Sequence, residues 1–271
     1  MFEIAPHLAA RSLFEPLDNH LLIGAFFEGG LPAAKLVVDH PTAPRAAFLR
    51  YNSRMIFAGD SSLETFNASL RQSLTEDIIP AMLAEGNDAA LLVFGDGWPT
   101  ALETIFAGFE LLKGQRLYFE SNPQTAETEI GLPPGFTLRQ VERAFLASGI
   151  TGLDALREEM CSERTSVEDF LENSFGLCPV YENELAGWCL SEYNTGERCE
   201  IGIATLEPFQ RRGVAASLTR AFLAEARRRG YGRVGWDCWE RNTASAASAK
   251  RAGLLLVEQY PALVALFSPE G

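Results

Sequence analysis

Apolar and polar residues alternate in two stretches of this 271-residue chain, and helical spacing follows each of them. In the first stretch, alternation and β-branched content predict strands near 20–27, 34–38, 46–51 and 54–58. Helical spacing over about 62–85 comes next, then a wholly apolar strand, Ala89–Phe94. The turn Gly95-Asp96-Gly97-Trp98-Pro99 leads into a helix over about 100–112, with a strand at 115–120. The cluster Gly131-Leu132-Pro133-Pro134-Gly135 interrupts the pattern and marks a boundary. Beyond it lie a strand at 136–141 and helical stretches near 142–148, 152–160 and 166–173. Strands at 177–182, 185–193 and 198–206 precede a helix over 213–229, a strand at 233–239 and a helix at 243–252. The last strands are expected at 254–260 and 262–267. Both halves thus read as a strand meander, then helix, strand, helix, strand, with no visible sequence repeat.

Composition narrows the class. Hydrophobic residues make up 47% and charged residues 22%, an ordinary globular balance with length enough for two modest domains. No run of 18 apolar residues is present, so no membrane-spanning helix is expected. Met1–His7 carries no basic head before an apolar stretch, so no secretory signal is expected either. The five cysteines (Cys161, Cys178, Cys189, Cys199, Cys238) are odd in number, scattered and without a C-x-x-C pair. They suit a reducing cytoplasm and argue against a disulfide framework or a zinc cluster. A cytoplasmic protein without a metal is the expectation.

Charge adds a location. The net charge of −13 argues against nucleic acid as a partner. Residues 1–134 hold 8 basic and 17 acidic residues, and residues 135–271 hold 15 and 19. Within Arg198–Arg251, 11 basic residues face 5 acidic ones, a local +6 that fits a small polyanion. Arg227-Arg228-Arg229 reads as the complement of a helix C-terminus. All three histidines (His7, His20, His40) lie in the first half, so the second half alone forms no His-dependent triad or His metal site.

The segment Glu200-Ile201-Gly202-Ile203-Ala204-Thr205-Leu206-Glu207-Pro208-Phe209-Gln210-Arg211-Arg212-Gly213-Val214-Ala215 reads as strand, polar turn and helix start. Val214, Leu218, Ala221 and Phe222 share one face of that helix, and Gly230 ends it. A helix N-terminus presents unpaired N–H groups and about half a positive charge, which suits a pyrophosphate. Gly213 and the small Ala215 let phosphate oxygens approach, and Gln210, Arg211 and Arg212 add donors. An ordinary arginine-rich turn has the same local signature. Strand Val234–Trp239 then leads to Asn242, Ser245, Ser248, Ala249 and Gly253-Leu254.

Together these segments resemble the GNAT superfamily of acyl-CoA-dependent N-acyltransferases. That signature pairs [Q/R]-x-x-G-x-[G/A] with a downstream Asn, a small residue three on and Gly-aliphatic eleven on, matched by Asn242, Ser245 and Gly253-Leu254. The likeness covers 135–271. Short patches extend it: Ala34–Asp39, Ala58-Gly59-Asp60, Gly114–Phe119 and Ile203-Ala204-Thr205 resemble the zwittermicin A resistance type. The first half also looks like the N-terminal half of glycine N-acyltransferases. The resemblance implies an α/β (α+β) fold of two GNAT-like halves, each a mixed central sheet flanked by helices. Residues 1–132 would be a degenerate GNAT-like domain and 135–271 the GNAT N-acetyltransferase domain.

It also implies a reaction: direct transfer of an acetyl or other short acyl group from acyl-CoA to a primary amine of a small molecule, without a metal. CoA would contact Ile203, Ala204, Thr205, Gln210, Arg211, Arg212, Gly213, Val214, Ala215, Ala216, Asn242 and Ser245. Glu200 stands where such enzymes frequently carry a general base, and reads equally as a solvated strand-edge carboxylate. Asn242 also reads as a helix N-cap. The family's Tyr, seven residues after the Asn, is Ala249 here, which leaves the general acid open. Tyr231 and Tyr260 are not assigned to it, and Cys238 reads as a buried thiol. A protein or peptide N-acetyltransferase and a non-catalytic CoA-binding module stand as alternatives.

Overall fold

The computed structural model describes residues 1–126 and 131–267. The chain forms two compact units, Met1–Gln115 with Tyr260–Gly271, and Arg116–Gln259.

The first unit contains β1 (Phe2–Ile4), α1 (Leu8–Arg11), α2 (Leu21–Phe27), β2 (Lys35–Val38), β3 (Ala46–Tyr51) and β4 (Arg54–Gly59). Then come α3 (Glu64–Ser73), α4 (Ile79–Ala84), β5 (Ala89–Phe94), α5 (Trp98–Ile105) and the start of β6 (Glu110–Ser121). Its sheet runs β1-β2-β3-β4-β5 and ends on the C-terminal strand. The first four strands pair antiparallel, and β5 joins β4 in parallel, with Phe57 opposite Phe94. Phe48, Phe57, Leu70, Trp98, Leu102 and Phe106 form its core.

Two expectations change here, and a third gains a detail. Residues 20–27 form helix α2, not a strand. Five of its seven residues are buried, so the segment is apolar nearly all round and its periodicity cannot separate the two states. The helix over 62–85 is one run carrying a π turn at Leu74–Ile78, just ahead of Pro80, whose ring nitrogen cannot donate. Helix α5 stops at Ile105 because Gly108, at φ +100°, turns the chain and β6 begins at Glu110.

The second unit contains β7 (Phe136–Gln140), α6 (Arg143–Leu146), α7 (Leu153–Ser162), α8 (Val167–Asn173), β8 (Gly176–Tyr181) and β9 (Glu184–Leu185). It continues with β10 (Gly187–Thr195), β11 (Arg198–Thr205), α9 (Val214–Arg228), β12 (Arg233–Trp239), α10 (Thr243–Arg251) and the start of β13 (Leu255–Leu266). The sheet order is β6-β12-β11-β10-β8-β7, with β9 beside β8. One face packs on α9 and α10, where Cys199, Ile201 and Trp236 meet Leu218, Phe222 and Ala249. On the other face Cys178 and Leu190 meet Phe145, Leu156 and Met160 of α6 and α7. Each fully buried apolar side chain of this kind contributes about 1.5–3 kcal/mol. The stripe Val214, Leu218, Ala221, Phe222 and Ala226 commits α9 to its side of the sheet.

The last strand of each half changes places. β6 closes the first half in sequence but pairs antiparallel with β12, from Arg116↔Trp239 to Ser121↔Val234. β13, expected as two strands, is a single one, and its Leu263–Leu266 pairs with β5. The units therefore part at 115/116 and 259/260, and the Pro/Gly cluster at 131–135 lies within the second unit.

Candidate active site

β11 and β12 run parallel and pair from Arg198↔Arg233 to Glu200↔Gly235. Beyond that point β11 continues beside β10 to Thr205↔Gly187, and β12 continues beside β6 to Trp239↔Arg116. Among the described residues the two strands share no further ladder, so β11 presents a backbone edge from Ile201 to Thr205. A cleft of about 790 Å³ lies along it, with Ile203, Ala204 and Thr205 on one wall and Trp236 on the other. The Thr205 hydroxyl is buried there with no hydrogen-bond partner. An orphaned donor beside an open strand edge fits an amide-bearing extended chain better than it fits an empty apolar slot.

The end of the cleft is the polar turn. Gln210 Nε2 donates to the Thr205 carbonyl at 3.0 Å and ties the turn back to its strand. Arg211 and Gly213 both adopt left-handed backbone, at φ +60° and +82°. Gly213 is the N-cap of α9 and has no side chain to fill the cap, so the first N–H groups of the helix face outward. A Cβ built on Gly213 meets nothing within 4 Å. Gln210, Arg211, Gly213, Val214, Ala215 and Ala216 all line the cleft. Arg212 does not: its guanidinium lies over the rings of Tyr181 and Phe209, at 5.8 and 5.6 Å. On the far side Asn242 caps α10, accepting from the Ser245 backbone at 3.1 Å, and the Ser245 hydroxyl accepts from Trp236 Nε1 at 3.0 Å. Both line the cleft. Eleven of the twelve expected CoA contacts are thus gathered in one place.

Glu200 belongs to the other face of the sheet. Its neighbours Cys199 and Ile201 point into the core beneath α9, so alternation turns Glu200 away from that helix. It is 6% exposed, which removes the reading as a solvated edge carboxylate. A β-bulge stands opposite: Ser191 pairs with Ile201 and Asn194 with Cys199, so Glu192 and Tyr193 together face Glu200. The Glu192 carboxylate occupies the space above Gly202, where a Cβ would lie 2.1 Å from it. The Tyr118 hydroxyl occupies the space above Gly235 in the same way, at 2.5 Å. Sequence reading missed Glu192 and Tyr118. Their one local signal is a glycine inside each neighbouring strand, the mark of another group's close approach.

The remaining candidates fall outside the cleft. Ala249 is fully buried. Tyr231 stacks on Phe175 at 5.6 Å, and Tyr260 meets the edge of His20 in the first unit. Burial pushes the Cys238 thiol up, which disfavours the thiolate an acyl carrier needs. Among the described residues no group of three or more His, Cys, Asp or Glu could hold a metal ion. Nor is any described helix long and apolar enough to cross a membrane.

A protein-family model described as GNAT acetyltransferase matches residues 11–263. The chain belongs to the GNAT acetyltransferase family. It is 25% identical, over 92% of both chains, to an uncharacterized N-acetyltransferase of Bacillus subtilis (strain 168) named YdfB. Its fold is similar to that of a GCN5-related N-acetyltransferase-like protein from Streptococcus suis 89/1591, with TM-score 0.64 and 18% identity over 96% of this chain and all of that one. A tandem GNAT protein from the clavulanic acid biosynthesis pathway gives TM-score 0.58 and 11% identity, covering 99% of this chain and 98% of that chain. The GNAT chain is therefore an enzyme of the N-acetyltransferase class, and the reading as a non-catalytic module is set aside.

Proposed function

We propose that this GNAT enzyme transfers an acetyl or short acyl group from acyl-CoA to a primary amine of a small molecule. One observation carries the reading. The parallel pair β11/β12 separates at Glu200, so a buried carboxylate stands where an open strand edge begins and runs to a helix N-terminus. In this reading Val214, Ala215 and Ala216 hold the pyrophosphate through backbone N–H groups, with Gln210 and Arg211 beside them. Ile203, Ala204 and Thr205 pair with the pantetheine arm, and Asn242 and Ser245 close the far wall. Bound in this way, acyl-CoA supplies an activated thioester.

The chain's own work is to move a proton and stabilise charge. An alkylammonium with pKa ~10.4 costs about 4 kcal/mol to deprotonate near pH 7.4. Glu200 accepts that proton at its carboxylate, directly or through one water. A backbone N–H of the Ile203–Thr205 edge donates to the thioester oxygen as negative charge grows there. A thiol of pKa ~8.5 leaves as thiolate near neutral pH, so the chemistry does not require an acid at Ala249. The patches that resemble the zwittermicin A resistance type, with the likeness of the first half to glycine N-acyltransferases, support a small acceptor, and the net charge of −13 favours a cationic one.

Release of free CoA from acetyl-CoA with a panel of small amines, against a peptide panel, tests the acceptor class. A mass shift on peptides alone would move the protein to the alternative reading. Glu200→Gln keeps the shape and removes the basicity. Its rate at pH 7 is expected to fall by on the order of 10²–10⁴, recovering in part at higher pH, with CoA affinity unchanged. Wild-type kcat/KM at pH 7 would remove Glu200 from the mechanism.

A further inference from the structure

We propose that Arg251 sets donor specificity: its guanidinium binds the 3′-phosphate of CoA, so the enzyme selects 3′-phosphorylated donors over dephospho-CoA. The proposal rests on the reading of the cleft as the CoA site. Much of the positive charge of Arg198–Arg251 is engaged elsewhere. Arg228 and Arg229 pair with Glu225. Arg212 lies over Tyr181 and Phe209, and Arg241 lies over the Trp239 ring at 5.1 Å. The cleft keeps two arginines, Arg211 and Arg251, and among the described residues no carboxylate lines it. Two cations without an anion suit a ligand that carries more than one anionic group.

The two cations stand at different levels. Arg211 precedes the first turn of α9. Arg251 is the last residue of α10, and Arg220 Nη2 donates to its carbonyl at 2.9 Å. Arg220 lies about 9 Å beyond Val214 along the axis of α9, so this bond fixes the end of α10 well past the polar turn. Ser245, Ser248 and Arg251, spaced three residues apart, share a face of α10, and all three line the cleft. In the proposed binding mode the pantetheine arm takes the β11 edge and the pyrophosphate takes the turn. The face of α10 is then left for the nucleoside end of CoA, which carries the 3′-phosphate. Arg251 also stands where cations complement a helix C-terminus, beside Lys250. Arg220 already serves the Arg251 carbonyl at that end. Among the described residues the Arg251 guanidinium makes no hydrogen bond or ion pair of its own. Its paired donors match phosphate oxygens.

The test needs no knowledge of the acceptor. Calorimetry on the full chain compares CoA with dephospho-CoA, which lacks only the 3′-phosphate. The wild type is expected to bind CoA about tenfold more tightly, the size of one charge-assisted contact. Arg251→Gln should lower CoA affinity to that of dephospho-CoA and leave dephospho-CoA affinity unchanged. Arg251→Lys keeps the charge and should retain part of the preference. A residue that only steadies the end of α10 would change both affinities together, and that result overturns the proposal. Equal affinities in the wild type, or a preference that survives in Arg251→Gln, overturn it as well. If the wild type binds CoA without preference, the 3′-phosphate assignment alone is wrong. If it binds neither ligand, the CoA reading of the cleft falls and this proposal falls with it.

Discussion

The two units follow one plan and end it differently. In the first, β4 and β5 stay paired from Arg54↔Leu91 to Phe57↔Phe94, and the Gly95 N–H still reaches the Phe57 carbonyl at 3.0 Å. Trp98 is fully buried beside Phe57, with ring centres 5.4 Å apart, and donates from Nε1 to the Gly59 carbonyl at 3.1 Å. In the second, β11 and β12 part at Glu200 and a cleft opens. The turns differ as well. After β4, Asp60 accepts from the backbone and hydroxyl of Ser62 and pairs with Arg45, so the turn is satisfied by its own side chains. The hollow beside it is lined by Asp39 and Glu64, which repel an anion. After β11, the turn carries arginines and an uncapped Gly213. A shared order of elements therefore does not open a cleft by itself; the separation of two strands does.

The largest expected effect concerns the exchanged strands. A fragment of residues 135–271 lacks β6, which pairs with β12 over six residues, and lacks β5, the partner of β13. Both strands would expose unpaired edges. The fragment is expected to show no cooperative thermal transition, whereas the full chain shows one. A fragment that melts cooperatively and binds CoA would mean that the exchange is dispensable and that the Pro/Gly cluster is a true domain boundary.

Next comes Gly213→Glu. The left-handed backbone strains any side chain there by about 1–2 kcal/mol, and a carboxylate at the proposed phosphate site adds several more against the ligand. CoA affinity in calorimetry should fall by on the order of 10²–10³, with the fold retained. Ser62→Glu, at the matching turn of the first unit, should leave affinity and a stoichiometry of one CoA per chain untouched. Two CoA per chain in the wild type would break the comparison outright.

Most of the second unit was legible because its signals are local. The stripe of α9, its arginine-rich end and the turn ahead of it sit within 30 consecutive residues. What was not legible depends on partners far away in sequence. Nothing in Gly114–Phe119 says that β6 will pair with β12 rather than close its own half. Tyr118 and Glu192 escaped for the same reason, since each acquires meaning only from a glycine on a neighbouring strand. Arg212 was expected in the cleft from motif spacing, and its guanidinium lies instead over the faces of Tyr181 and Phe209. Residues 20–27 failed on periodicity, because a short helix buried nearly all round shows none.

A smaller effect sharpens the division of labour. Trp98→Ala empties a fully buried indole site and orphans the Gly59 carbonyl, a loss of about 3–5 kcal/mol in stability by denaturant titration. CoA affinity of the folded protein should not move. A matching loss of affinity would show that the closed first unit supports the open cleft energetically.

The smallest effect is the most discriminating. Thr205→Val exchanges a buried hydroxyl without a partner for a methyl group of nearly the same shape. With no ligand bound, that hydroxyl is a desolvated polar group with nothing in return, so its removal should leave stability unchanged or raise it by up to about 1 kcal/mol. In the proposed binding mode the same hydroxyl meets the amide-bearing arm of CoA, and losing one neutral hydrogen bond there costs about 0.5–1.5 kcal/mol of binding. That is a loss of roughly 2–12-fold in affinity. The two signs are opposite, and global damage cannot mimic them: a variant that merely disturbed β11 would lose stability and affinity together. Melting temperature without ligand and calorimetric affinity, measured on one preparation, decide it. If Thr205→Val binds CoA as well as the wild type, the hydroxyl faces away from the ligand path, and the open edge of β11 must hold its ligand by backbone alone.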